Sequence, residues 1–331
     1  MVIRLCLLLL LGSLSSLTAA EAGGENWESS LQAGRILFEQ GRYQEARQKL
    51  SEALQGIEAA GLEGYPLVIT LSNLGACYLD LGLFVEAETH HRRAVRAGES
   101  LAGAPRLALA VALNNYGVLL NRLGRTKQAA QSFERSLEIR RELLGPRHPG
   151  VARQLHNLAR LYMDRREFER AEPLYRQALE IWEKSSEPAI PDVTAGLSGL
   201  ASLYARRKDF ERALPLAERA TSLWEGALSR NHPTYAILLN NLASAHIESG
   251  QFERAEPLVE QALDIARNTY GEDHPETATI LANYAVVLKR TARKRQARVV
   301  QAQARGILAR HVQRNLLNHS VDASQLLQKS K

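Results

Sequence analysis

Seven small residues recur along this chain at a nearly constant interval. Gly34, Gly75, Gly117, Ala159, Ala201, Ala243 and Ala285 are separated by 41 residues once and then by 42 five times. Twelve residues after each of them stands an alanine: Ala46, Ala87, Ala129, Ala171, Ala213, Ala255 and Ala297. Seven residues further on come Ala53, Ala94, Ser136, Ala178, Ala220, Ala262 and Ala304. A register held at three phases means that one supersecondary unit is repeated and buries its apolar face against copies of itself.

Each unit reads as a helical hairpin. In its first half apolar residues recur at three and four, as in Leu71, Leu74, Tyr78 and Leu79, which is the stripe of a helix. Gly41, Gly82, Gly124 and Gly250 then break the pattern. The second half is long and charged with small residues inside it, as in "FERAEPLYRQALEIW". Small residues let two helix axes approach closely. Units end in "GPRHPG", "SRNHPT" or "GEDHPE", where proline opens the next helix because its missing N–H costs nothing there. Pro173, Pro215 and Pro257 share one phase inside the second half. An interior proline bends a helix at a nominal ~3 kcal/mol, and its recurrence predicts a tolerated kink rather than a helix end.

This phasing of small residue, tyrosine, glycine and alanine resembles the tetratricopeptide repeat, stretched from its usual period of about 34 residues. The longer period, the "NNLA" string at Asn240 to Ala243 and the "GxxHP" unit ends resemble the kinesin light chain variety. The resemblance covers residues 27–313. It implies an all-α, right-handed superhelical solenoid of about seven TPR-like helical hairpins, used as a protein-binding scaffold rather than as an enzyme. The signal-like N-terminus departs from a cytosolic motor subunit, and nothing resembles the heptad segment of a light chain, so cargo transport is not carried over.

The resemblance also implies a concave groove lined by the first helices, with the residue two before the small position projecting into it. Here that phase reads Gln32, Asn73, Asn115, Asn157, Gly199, Asn241 and Asn283, and Asn114 and Asn240 extend the row to the adjacent phase. Asparagine is a poor helix-interior residue. A row of its amides can clamp a peptide backbone, or can bond neighbouring helices and set repeat stacking. Arg160 would face the same groove. Five residues after the small position the charges alternate as Asp80, Arg122, Asp164, Arg206, Glu248 and Arg290. They read as an inter-repeat ion-pair ladder; the alternative is that Arg122, Arg160 and Arg206 meet an acidic ligand. The Lys/Arg pattern of a carboxylate-clamp array is absent at the matching phases.

The two ends differ from the array. Arg4, the apolar run Leu5 to Leu11 and the A-x-A arrangement Ala20-Glu21-Ala22 predict a signal peptide over residues 1–22. The run is too short to span a bilayer, and no other long apolar stretch follows. The mature protein is therefore expected to be exported, periplasmic or extracellular, without an integral membrane segment. The last repeat has Ala292 in place of the turn glycine, and its second half is strongly basic. From Lys289 onward eleven Lys/Arg face a single acid, Asp322, although the whole chain carries only +6. A polar end cap or an acidic-partner surface would account for it. Residues 314–331 match no repeat and read as a tail, a docked turn or a frayed end.

No metal or cofactor is called for. Cys77 stands alone once Cys6 is removed, which excludes a disulfide framework, and it reads as a small apolar residue. His148, His232 and His274 occupy equivalent turns, one per repeat, too dispersed to share a metal. His90 and His91 with Glu86 and Glu88 form the one dense cluster. Glu86 and His90, four residues apart, could hold a metal only with a third convergent ligand, which is the rival reading of a metal protein. Phosphate-binding and nucleophile motifs are missing. The function expected is an exported scaffold binding a peptide segment of a protein partner, with no nucleic acid. The rival readings are an oligomerisation scaffold with an empty groove and a basic C-terminal tether to an anionic surface.

Overall fold

The computed structural model describes residues 27–328, with side chains as far as His311. The proposed signal peptide lies outside the described residues. First helices α1 (Trp27–Glu39), α3 (Tyr65–Asp80), α5 (Leu107–Arg122), α7 (Pro149–Asp164), α9 (Ile190–Arg206), α11 (Pro233–Glu248) and α13 (Pro275–Arg290) alternate along the chain with second helices. These are α2 (Tyr43–Ala59), α4 (Phe84–Gly98), α6 (Thr126–Leu144), α8 (Phe168–Glu183), α10 (Phe210–Ala227), α12 (Phe252–Tyr270) and α14 (Lys294–Gln328). No strand occurs among the described residues. The chain divides into two compact units, Met1–Leu161 and Tyr162–Lys331. Helix α14 continues through 314–328, where the lack of a repeat match suggests a turn or frayed end.

The repeat register is the packing register. All seven alanines of the second phase are buried, as are Ala53, Ala94, Ser136, Ala178, Ala220, Ala262 and Ala304. Opposite the first-phase small residues stand larger ones. A β-carbon on Gly75 would lie 2.5 Å from His91 Cε1, and one on Gly117 would lie 2.8 Å from Phe133 Cε1. Two helices meet there at a distance that only glycine permits. In the first unit Phe38, Ala46, Leu50, Leu74 and Cys77 form one core from α1, α2 and α3, and Val68, Ile69, Leu71, Ala94, Ala108 and Ala112 form the next from α3, α4 and α5. In the second unit Ala201, Ala217 and Leu242 join α9, α10 and α11. Every such cluster spans two hairpins, as expected of a stacked array. The helices holding Pro173, Pro215 and Pro257 continue through them.

The turn inside each hairpin is one structure made seven times. Gly41, Gly82, Gly124, Arg166, Lys208, Gly250 and Ala292 all have positive φ, between 61° and 82°. The following amide bonds the carbonyl five residues back in every case, from Arg42 to Leu37 through to Arg293 to Leu288. This is the left-handed helix cap that glycine favours. Three of the seven positions hold other residues, which is why the glycine signal lapses there.

Candidate functional site

The asparagines of the first helices are placed by the burial of their neighbours. Asn157 lies between buried His156 and Leu158, and Asn241 is followed by buried Leu242 and Ala243. In the first unit Asn157 Nδ2 donates to Asn114 Oδ1 at 3.0 Å, and Asn114 Nδ2 donates to Asn115 Oδ1 at 3.2 Å. In the second unit Asn283 Nδ2 donates to Asn240 Oδ1 at 2.9 Å, and Asn241 Nδ2 donates to Ser198 Oγ at 2.9 Å. Each of these three cross-repeat bonds spans 43 residues. These three share one rule: the amide two before the small position reaches the residue three before it in the preceding hairpin. Ser198 is a member of this ladder that the asparagine row alone does not reveal.

One rung is open. By the same rule Asn115 Nδ2 would donate to Ser72 Oγ, and that bond is not made; the Asn115 carbonyl accepts from Asn114 instead. Ser72 Oγ and Asn73 Nδ2 are buried without a hydrogen-bond partner, Asn73 being 5% exposed. Asn115, Asn157, Asn240, Asn241 and Asn283 remain half-buried. The carbonyl oxygens of Asn157, Asn241 and Asn283 accept nothing from the described residues.

The arginines do not form one continuous ladder. Arg122 lies 3.6 Å from Asp80. Further along, Asp164, Arg206, Glu248 and Arg290 are not ion-paired with one another among the described residues. Arg206 is exposed, and Arg160 is half-buried and makes no ion pair among the described residues. The regular inter-repeat pairing uses second helices and turns instead, 35 to 37 residues apart: Arg125–Glu88, Arg135–Glu99, Arg207–Glu172 and Arg293–Glu256. A period of 42 with a shifted partner hides these pairs from a search at constant phase.

The turn histidines prove to be helix caps. Nδ1 of His148, His232 and His274 accepts the backbone N–H of Gly150, Thr234 and Glu276 at 2.9, 3.1 and 3.1 Å. Proline follows each histidine at the first helical position, so the next amide is the first available donor. The arrangement confirms their structural role. His91 is fully buried, with neither ring nitrogen bonded, and desolvation pulls its pKa down to about 3. His90 instead packs edge-on against Tyr78. The two neighbours thus face different surroundings. Burial pushes the Cys77 thiol up to about 12, which suits a packing residue.

Comparison with known proteins agrees with this geometry. The tetratricopeptide repeat model matches residues 28–100, 66–142, 108–184, 192–268 and 237–310, and a second model of that name matches 156–227. This chain belongs to the tetratricopeptide repeat family. No curated protein matches it. Among solved structures it is similar to BtubC (BKLC) of P. vanneervenii, at 25% identity and a TM-score of 0.52, covering 75% of this chain and 93% of that one. Kinesin light chain TPR-like repeats from Podospora anserina align at 24% identity and TM-score 0.51, covering 61% of this chain and 95% of theirs. A tetratricopeptide repeat protein of Parabacteroides merdae aligns at 20% identity and TM-score 0.55, covering 85% and 93%. The kinesin-light-chain variety expected from the "NNLA" and "GxxHP" strings is thus found among its structural neighbours. Tetratricopeptide proteins generally act as scaffolds that mediate protein–protein interactions, and this chain is a repeat scaffold of that family. No described helix is long and apolar enough to cross a membrane.

Proposed function

We propose that this tetratricopeptide protein is exported and holds an extended peptide segment of a protein partner along the asparagine-bearing first helices within a single compact unit. The observation that carries the reading is the unspent capacity of the ladder. Asn157, Asn241 and Asn283 each commit one N–H to the hairpin before. Every amide has two donors and a carbonyl with two lone pairs. The half-buried groups keep a donor and an acceptor each, already oriented by the bond they make. Fixed polar groups of this kind bind a peptide backbone at a low ordering cost. Stacking and recognition are then two uses of one side chain. Arg160, one turn after Asn157 and without an ion pair, supplies a cation for an acidic residue of the peptide. Arg122, close to Asp80, and the exposed Arg206 are secondary contributors.

A displayed library of random twelve-residue peptides, panned on the purified protein, tests the groove. Selected peptides are expected to lose about tenfold in affinity, near 1.4 kcal/mol, on the Asn115→Ala/Asn157→Ala variant while the variant stays folded. Unchanged affinity would remove these residues from the site. Export is tested separately by the N-terminus of the protein made in cells. It should begin near Gly23 or Glu21, and recovery of Met1 would overturn that part.

A further inference from the structure

We propose that the exposed faces of α13 and α14 form a second docking surface, for an acidic amphipathic helix of a protein partner. The position in the array is the first argument. In earlier hairpins the residue three before the small position receives the next repeat, as Asn114, Ser198 and Asn240 accept the amides of Asn157, Asn241 and Asn283. On α13 that position is Ala282, which has no acceptor to offer, and it is exposed. Val286, one turn on along the same face, is 40% exposed. A face that elsewhere receives a helix is here apolar, small and open.

Charge is the second argument. Between Lys289 and His311 the chain has eight Lys/Arg and no Asp/Glu. Two of them are matched, Arg293 by Glu256 and Arg310 by Asp273. Arg290 lies over the Phe252 ring, and it, Lys289, Lys294, Arg295, Arg298 and Arg305 pair with no acid among the described residues. An end cap needs polarity but not a single sign. The opposite case is on the same chain: α1, α2 and the turn between them mix Glu28, Arg35, Glu39, Arg42 and Glu45.

Shape narrows the partner. Arg295, Arg298, Ala302, Arg305 and Ala309 recur at three and four residues, so they share one exposed face of α14. Alanines within a rim of guanidinium groups allow a helix axis to come close while its carboxylates reach the arginines. Val299, 66% exposed beside this face, adds an apolar contact that a purely electrostatic partner would not use. An acidic helix with an apolar stripe satisfies all three features. A nucleic acid would leave the valines in water, and a bilayer has no use for the close-approach alanines.

The probe is a fluorescent three-heptad peptide of repeating sequence LEELAEE, titrated into the full chain at moderate salt. Saturable binding is expected, weakened at least about tenfold by Arg295→Gln/Arg298→Gln/Arg305→Gln and a few-fold by Val299→Ser. These residues are exposed, and an unchanged circular dichroism spectrum checks that the variants keep their fold. A peptide of the same composition with its apolar stripe scrambled should bind at least severalfold more weakly. Equal binding of the scrambled peptide, no binding of LEELAEE, or insensitivity to the arginine variants would each overturn the proposal. So would tighter binding to phosphatidylglycerol vesicles or duplex DNA than to the peptide, or self-association lost in the same variants. Asn115→Ala/Asn157→Ala should leave the titration unchanged, which separates this surface from the proposed groove.

Discussion

The imidazole of His91 occupies the space that a β-carbon on Gly75 would need, 2.5 Å from its Cε1. The pair sets how closely α3 and α4 pack. In the second unit the same two phases hold Ala201 and Ala217, both buried, a different division of one fixed volume.

Gly75→Ala should therefore destabilise by about 1–3 kcal/mol through overpacking. Adding His91→Ala makes room for the methyl group, so the double variant should be more stable than the sum of the two single effects. Denaturant unfolding of the four proteins measures the coupling. Strict additivity would mean that the contact is not what spaces these helices.

Acid should unfold the protein progressively. Burial lowers the pKa of both His91 and His156 to about 3, in His156 with a smaller contribution from Arg160. The fold binds these rings neutral while the unfolded chain protonates them near pH 6.5. Their contribution is complete above that pH and is lost as pH falls toward 3. Each adds a slope of about 1.4 kcal/mol per pH unit in this window. Loss of solvation likewise lowers the pKa of the capping histidines His148 and His232, and protonation would remove the acceptor of each cap. His91→Phe copies the Gly117–Phe133 pair and should flatten the stability curve between pH 6 and 4 by about one proton's slope. An unchanged slope in that variant would contradict the burial of His91.

Arg166, Lys208 and Ala292 sit in the left-handed conformation with φ of 62°, 61° and 65°. Four other hairpins use glycine at this position. Replacing each of the three by glycine should stabilise by about 0.5–1 kcal/mol, the relief of the side-chain clash less the entropy glycine adds to the unfolded chain. Thermal melts of the single variants and their combination check this. Lower melting temperatures would show that the side chains stabilise the turns in some other way.

The hairpins, their small-residue interfaces and the interior prolines were legible because each rests on steric rules that repeat at constant phase. The turns at Arg166 and Lys208 were not, since tertiary closure of the hairpin overrides the missing glycine there. Histidine is an uncommon helix cap, so the role of His148, His232 and His274 appears only when Nδ1 is seen to accept an amide. The charge ladder forms at the Arg122–Asp80 rung and not beyond it. The regular partner lies on another element at a shifted phase, as with Arg125 of a turn and Glu88 of α4. The asparagine row was visible, but its bonds step back 43 residues rather than 42, onto residues of mixed type.

Two rungs of that row should differ in energetic weight. Asn157→Ala removes the 3.0 Å bond to Asn114 and leaves the Asn114 carbonyl oxygen, on a residue only 3% exposed, without a donor. Asn283→Ala removes an equivalent bond to Asn240, which is half-buried and open to a replacement water. An unsatisfied buried acceptor costs about 1–3 kcal/mol, whereas a lost bond that water restores costs about 0.5–1.5 kcal/mol. Alanine returns roughly 0.6 kcal/mol of helix propensity in both. Asn157→Ala should thus lower stability clearly, by about 1–2 kcal/mol, and Asn283→Ala should come out near neutral. Chemical denaturation with a slope unchanged from the parent gives both values. If the order reverses, burial of the acceptor does not govern the ladder, and the energetic weight of the row lies in groups other than these two amides.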